Sequence, residues 1–428
     1  SLRMGSFPLY IPGFAGGQSA SALTLGGLWH PQTWLVALMP GYWSGLALDW
    51  NTCLRLLSLG AAHLSLLLVL RKLRVQPTAT FILSFITVYN MRMLDLFRYG
   101  ASLENYVAFL LLVGAILWHS VEPERIRIRV AMAGATYLLV TGGHPQVMYY
   151  GLLGAACVAL IAPHFAALMM AREVAGSLRL LIVGYIRVAF ACAVGGFLAS
   201  AYVLPFCVDF VGRNAGRVGR DYAWADGFRD TIMGTVANAA LPLASDVHGA
   251  FGGSWLVLPF FLIPLLCLWR KRLPKVIWVL WGVGVVLFLH MQGGRLPVHY
   301  AFWHLLPFAS SFRIAGRVTI ILLPLMMMGL GWLWHEDAPE VEFLGRPLPA
   351  RVPLLWLTLA LCPFIFLLAL REESWSDMSP MVLFEVLPPA LAAIAVLGAG
   401  SLVALLVVGR TPDSRRRWCL VAAVLVCI

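Results

Sequence analysis

Arg313 and Arg317 stand four residues apart at the start of an apolar run, within Leu306-Pro307-Phe308-Ala309-Ser310-Ser311-Phe312-Arg313 and on to Arg317. A guanidinium at the mouth of a hydrophobic segment must find an anion or draw in water. Its planar fork matches phosphate in bidentate fashion, so a lipid phosphate is the leading ligand. Arg213 follows Asp209 by four residues, in a segment continuing through Arg217, Arg220 and Arg229; on one helix the first two share a face. A solvated loop with local ion pairs, each about 0–1 kcal/mol, accounts for that segment as readily as a phosphate site does.

Acidic groups suited to proton transfer cluster elsewhere. Arg92, Asp95 and Arg98 are spaced three apart, with Glu104-Asn105 shortly after. One reading is a structural charge ladder between helices. The other makes Asp95 or Glu104 a general base, or a second acidic residue, facing an outer cavity. Sequence does not choose between them. In Thr141-Gly142-Gly143-His144-Pro145-Gln146 the glycines allow close backbone approach and Pro145 suits a first helical turn. His144 and Gln146 would then sit at a helix N-terminus, where backbone donors favour an anion. A tight interhelical turn with a hydrogen-bonded histidine is an equal alternative. His-Pro-Gln also occurs at 30–32, too short a match to carry an internal repeat. Arg55 reads as snorkelling to the outer interface, and Arg187 lies deeper with no partner evident from sequence.

These groups must be positioned by membrane helices. The chain is 61% hydrophobic and 12% charged, with a mean hydropathy of +0.84, whereas soluble domains carry about 25% charged residues. Its apolar runs are continuous rather than alternating, which predicts helices and not a transmembrane barrel. Eight scattered cysteines form no CxxC and read as free, buried thiols. Neither they nor the lone histidines show metal-ligand spacing, so no metal site is expected, and nothing points to nucleic acid as a partner.

The expected fold is an all-α, polytopic integral membrane bundle. Spans are drawn at 52–70, 78–94, 103–119, 130–143, 146–170, 180–206, 250–269, 276–291, 315–334, 353–370 and 385–409. That makes about eleven complete spans, plus a truncated one from Trp418; the fourth is short and Gly-terminated. Basic clusters at 71–74, 270–275 and 410–417 follow odd-numbered spans, and Arg125, Arg127 and Arg129 fall on the same face, cytoplasmic by the positive-inside rule. Residues 1–51 become a non-cytoplasmic segment with interfacial helices around Trp29, Trp34, Tyr42 and Trp43. A transmembrane module then covers 52–334, with outer loops at 91–103, 207–249 and 292–314, and C-terminal helices cover 335–428.

Taken in order, several pieces resemble the YfhO-type bacterial membrane protein family of the GT-C class of glycosyltransferases. They are the Gly-rich, aromatic outer stretch, Gly142-Gly143-His144-Pro145-Gln146, Leu204-Pro205 with Asp209 and Arg213, Phe251-Gly252-Gly253, and Leu306 to Arg317. The resemblance covers most of 1–335. It implies a GT-C-like bundle around an outward-facing cavity in the bacterial inner membrane. Its donor would be a polyprenyl-phosphate-linked sugar and its acceptor an envelope glycan or lipid. Arg313 and Arg317, with Arg213, would bind lipid phosphate, while Asp209, His144 and Gln146 would line the substrate site. Asp95 and Glu104 are candidates for the second acidic role. The family's main catalytic acid follows its first span, so it is expected upstream of Ser1. A transporter or flippase of an anionic lipid-linked substrate, and a non-enzymatic envelope-assembly protein, are the competing readings.

Overall fold

A computed structural model of the chain describes residues 10–11, 18–19, 29–90, 100–171, 178–204, 254, 256–268, 273–293, 296–312, 315–337, 340–343 and 346–370. Strands β1 (Tyr10–Ile11) and β2 (Gln18–Ser19) pair antiparallel ahead of a series of helices. Helix α1 (Pro31–Leu38) is short. It is followed by α2 (Ala47–Lys72), α3 (Pro77–Val88), α4 (Gly100–Val121), α5 (Ile126–Thr141), α6 (Pro145–Met169) and α7 (Leu178–Leu198). Further along lie α8 (Val257–Phe261), α9 (Lys275–Met291), α10 (Pro297–Leu305), α11 (Thr319–Leu333) and α12 (Arg351–Leu370). Proline opens the first turn of α1, α3, α6 and α10, where its missing N–H costs nothing.

Among the described residues, five helices are long and apolar enough to cross a bilayer: Ala47–Lys72, Ser102–Val121, Pro145–Met169, Arg179–Leu198 and Ala315–Leu333. Pro77–Val88 and Lys275–Met291 are shorter apolar helices. The short fourth run is α5, whose 16 residues reach about 24 Å and end at Gly142. The stretch drawn as a seventh span is broken. Among its described residues, the five-residue α8 gives way to a 3-10 segment, Ile263–Leu268, where Pro264 cannot continue an α-helical hydrogen-bond ladder. A β-hairpin that the apolar pattern did not foretell, β3 (Glu340–Phe343) with β4 (Arg346–Pro349), separates α11 from α12. The runs at 385–409 and from Trp418 lie outside the described residues.

Helix α11 is the centre of the bundle, with all 15 of its residues buried. It packs on α9, α6 and α3, while α4 packs on α2, α5 and α6. The rim helices turn apolar side chains outward, including Leu57 and Leu64 of α2 and Ile182, Ile186 and Phe190 of α7. Such a surface suits acyl chains, which are as apolar as leucine. Some of the buried polar groups are bonded between neighbouring helices. Tyr106 Oη donates to the Thr87 carbonyl at 2.5 Å and accepts from Asn90 Nδ2 at 2.8 Å.

Successive helices reverse direction, so charges collect at two ends. At one end Lys72 bonds Glu122, which also pairs with Arg125 at 2.7 Å. Arg187, whose partner the sequence did not reveal, pairs there with Glu124 at 2.6 Å. The end of α11 joins this group. Gln76 N donates to the Trp334 carbonyl and Glu336 N to the Arg74 carbonyl, both at 2.9 Å, and Arg74 pairs with Asp337 at 3.1 Å. Arg71, Lys72, Arg74 and Arg125 thus lie together at this end of the bundle.

Close approach of α7 to α5 depends on Gly195. A Cβ there would lie 2.2 Å from the Ala133 carbonyl oxygen and 2.8 Å from Thr136 Cβ, and backbone cannot yield as a side chain can. Gly195→Ala is expected to destabilise the detergent-solubilised protein by about 1–3 kcal/mol. Gly196→Ala, which meets nothing within 4 Å, should be neutral or slightly stabilising. Thermal unfolding of the two variants checks the contrast.

Candidate anion site at the Glu104 end

Both His-Pro-Gln tripeptides start helices. His30 is the N-cap of α1, its Nδ1 accepting from Gln32 N at 3.4 Å; His144 is the N-cap of α6, its Nδ1 accepting from Val147 N at 3.4 Å. Each turn also meets one of two consecutive residues of α4. His30 Nδ1 lies 3.7 Å from Glu104 Oε2, and Asn105 Oδ1 accepts from His144 N at 2.8 Å. The tripeptide match, too short to interpret as sequence, thus corresponds to two similar turns on one helix.

In the first constellation the guanidinium of Arg55 meets a carboxyl group of the chain itself. Arg55 Nη2 stands 3.6 Å from Glu104 Oε1, with the two side chains 19% and 8% exposed. Arg55 therefore pairs inward rather than snorkelling. The Asn51 amide completes the group, its oxygen when turned toward Arg55 accepting from Nη1 and Nη2 at 3.3 and 3.1 Å. Burial lowers the His30 pKa from 6.5 to about 4. The imidazole is neutral near pH 7, and its contact with Glu104 is no ion pair despite the distance; the guanidinium carries the charge balance.

The second constellation brings together three residues that the sequence named from distant segments. Arg317, in the 3-10 segment Ala315–Val318, donates through Nη1 to Gln146 Oε1 at 2.8 Å and lies 3.1 Å from His144 Nε2. A neutral imidazole has a single acceptor nitrogen, yet His144 faces a donor at each: Val147 N–H at Nδ1 and the guanidinium at Nε2. If Nδ1 keeps its capping bond, Nε2–H and Arg317 become two donors side by side. In that tautomer the pair presents two donors at one point, a geometry that would suit an oxyanion oxygen. Gln146 then orients the arginine.

Asn105, fully buried, holds this arrangement. Besides accepting from His144 N, it donates through Nδ2 to the Leu139 carbonyl, fastening the α5–α6 turn at two points. Gly142 fits because a Cβ would lie 2.7 Å from Asn105 Cγ, and Gly143 adopts φ +93°. Tyr150 Oη lies 3.4 Å from His290 Nε2, and the His290 ring is tilted against His299 with centroids 4.9 Å apart.

Of the residues expected to bind substrate, Arg317, His144 and Gln146 meet here. Glu104 lies at the same end, engaged by Arg55. Asp95, Asp209, Arg213 and Arg313 lie outside the described residues. Asn105, Tyr150 and His290 were not singled out. The one available signal was an amide beside Glu104 at the head of an apolar helix. No group of three or more His, Cys, Asp or Glu able to hold a metal ion occurs among the described residues. No family model, curated protein or solved structure matches the chain.

Two measurements probe the cluster. With a folded pKa below the unfolded one, His30 contributes stability that is complete above pH 6.5 and is lost as pH falls toward 4. The wild type should lose about 3 kcal/mol more than His30→Asn across that window in thermal unfolding. Asn105→Ala should cost about 1–3 kcal/mol by orphaning buried backbone groups. Combined with Gly142→Ala it should be less than additive, because the two changes act on one contact.

Proposed function

We propose that the chain belongs to a multi-pass bacterial inner-membrane glycosyltransferase of the GT-C type, similar to the YfhO-type family. It would move a sugar from a polyprenyl-phosphate carrier to an envelope glycan or lipid on the non-cytoplasmic side. The observation that carries this reading is the pairing of Arg317 with His144 Nε2 at 3.1 Å at the N-terminus of α6. Two donors converging at a helix N-terminus suit a phosphate oxygen. The neighbouring constellation supports it, since a comparable pair, Arg55 and His30, lies against the carboxyl group of Glu104.

In the proposed reaction an acceptor hydroxyl oxygen bonds to the anomeric carbon and the bond from that carbon to the carrier phosphate breaks. The electron pair leaves with the lipid phosphate, where Arg317 and His144, joined by Arg313 and Arg213, stabilise the developing charge. A carboxylate takes the hydroxyl proton. Pairing with Arg55 suits Glu104 to holding α2 against α4 and leaves Asp95 as the candidate base. Asp209 completes the proposed substrate-contacting set.

Transfer by the full-length protein in membranes, followed with a labelled polyprenyl-phosphate sugar, tests the reading. Arg317→Gln should lower transfer about a hundredfold or more, with Arg317→Lys intermediate because a point charge remains without the fork. Unchanged transfer in Arg317→Gln would refute the assignment. Movement of chemically unaltered substrate would favour a transporter or flippase instead.

A further inference from the structure

The opposite end of the bundle holds a cluster that the transferase reading leaves unused. A cavity of about 330 Å³ lies between α4, α6 and α7. His119, Tyr185 and Arg187, together with the carboxylate of Glu124, are among its polar lining, and Pro163, Met170 and Leu180 are among its apolar walls. His119 is only 3% exposed, yet neither ring nitrogen has a hydrogen-bond partner among the described residues. The Gly184 carbonyl acts on the ring but outside hydrogen-bond geometry. An imidazole buried in this way forfeits its hydrogen bonds to water unless a ligand replaces them.

The charge around the cavity is positive in balance. Arg129 and Arg187 both act electrostatically on His119, against the single carboxylate of Glu124. Arg187 Nη1 donates to Glu124 at 2.6 Å, but the Glu124 side chain is 78% exposed. Such a pair at a cavity mouth is screened by solvent and yields readily to a better anion. Arg129 Nε is buried without a hydrogen-bond partner among the described residues. The apolar walls run out to Leu180 on the exposed face of α7, so an occupant with a charged head and a hydrocarbon tail fits both parts.

We propose that this cavity receives the phosphate head group of an anionic lipid. His119 and Arg187 would contact its oxygens, Arg129 would add charge, and the acyl segments would lie along Met170 and Leu180. The site is independent of the transferase reading. A soluble phosphate would engage the same cations but leave the apolar walls uncovered.

The test reconstitutes the full chain in nanodiscs of phosphatidylcholine with increasing phosphatidylglycerol and measures lipid retention by native mass spectrometry. Phosphatidylglycerol should be retained selectively, and Arg187→Gln should weaken retention about fivefold. Glu124→Gln should strengthen it, because Arg187 is released from its partner. A purely structural Arg187–Glu124 pair would instead make both variants lower the melting temperature in phosphatidylcholine alone and leave retention unchanged. If Arg187→Gln folds poorly, His119→Phe decides: retention equal to wild type overturns the proposal. Competition by glycerol 3-phosphate as strong as that by phosphatidylglycerol would overturn the lipid assignment.

Discussion

Asn105 is buried near the head of a mostly apolar helix, and its two hydrogen bonds end on different parts of the α5–α6 connection. A buried amide left unbonded is costly, so the turn at Gly142–His144 is held to one conformation wherever α4 is in place. Glu104, one residue earlier, does the same for α1 and α2 through His30 and Arg55. Two adjacent polar residues at the head of α4 therefore set the positions of two further helix starts. The location of Arg317 opposite His144 follows from the second of these.

The rest of the bundle offers little directional information of this kind. Helix α11 is buried on every side and α7 turns much of its apolar surface outward. Apolar contacts fill space without specifying rotation, and in lipid they give no net preference for helix over acyl chain. Register comes instead from close backbone approach, as at Gly195 against Ala133, and from the charged and polar groups at the two ends. The ion pairs of Lys72, Arg74 and Arg187 at one end and the His-Pro-Gln turns at the other are where neighbouring helices are matched.

Helical character and the grouping of Arg71, Lys72, Arg74 and Arg125 were legible from the chain because hydrophobic run length and charge clustering are local properties. The break at Pro264 was not, since a proline inside an apolar run is also compatible with a kinked span; Pro163 and Pro324 are both accommodated within helices. The hairpin before α12 escaped for a similar reason, its residues carrying no apolar alternation strong enough to mark strands.

His144, Gln146 and Arg317 could be named from residue type and from their positions at the mouths of apolar runs. Their meeting could not, because more than 170 residues separate Arg317 from its partners and no local rule spans that distance. Arg55 shows the converse: by sequence it belonged to the interface, and only packing against α4 supplied a buried carboxylate. Sequence alone determined which groups could bind an anion and roughly how deep each lies along its helix. Tertiary structure decided which of them face each other, because helix rotation is fixed by contacts between segments remote in the chain.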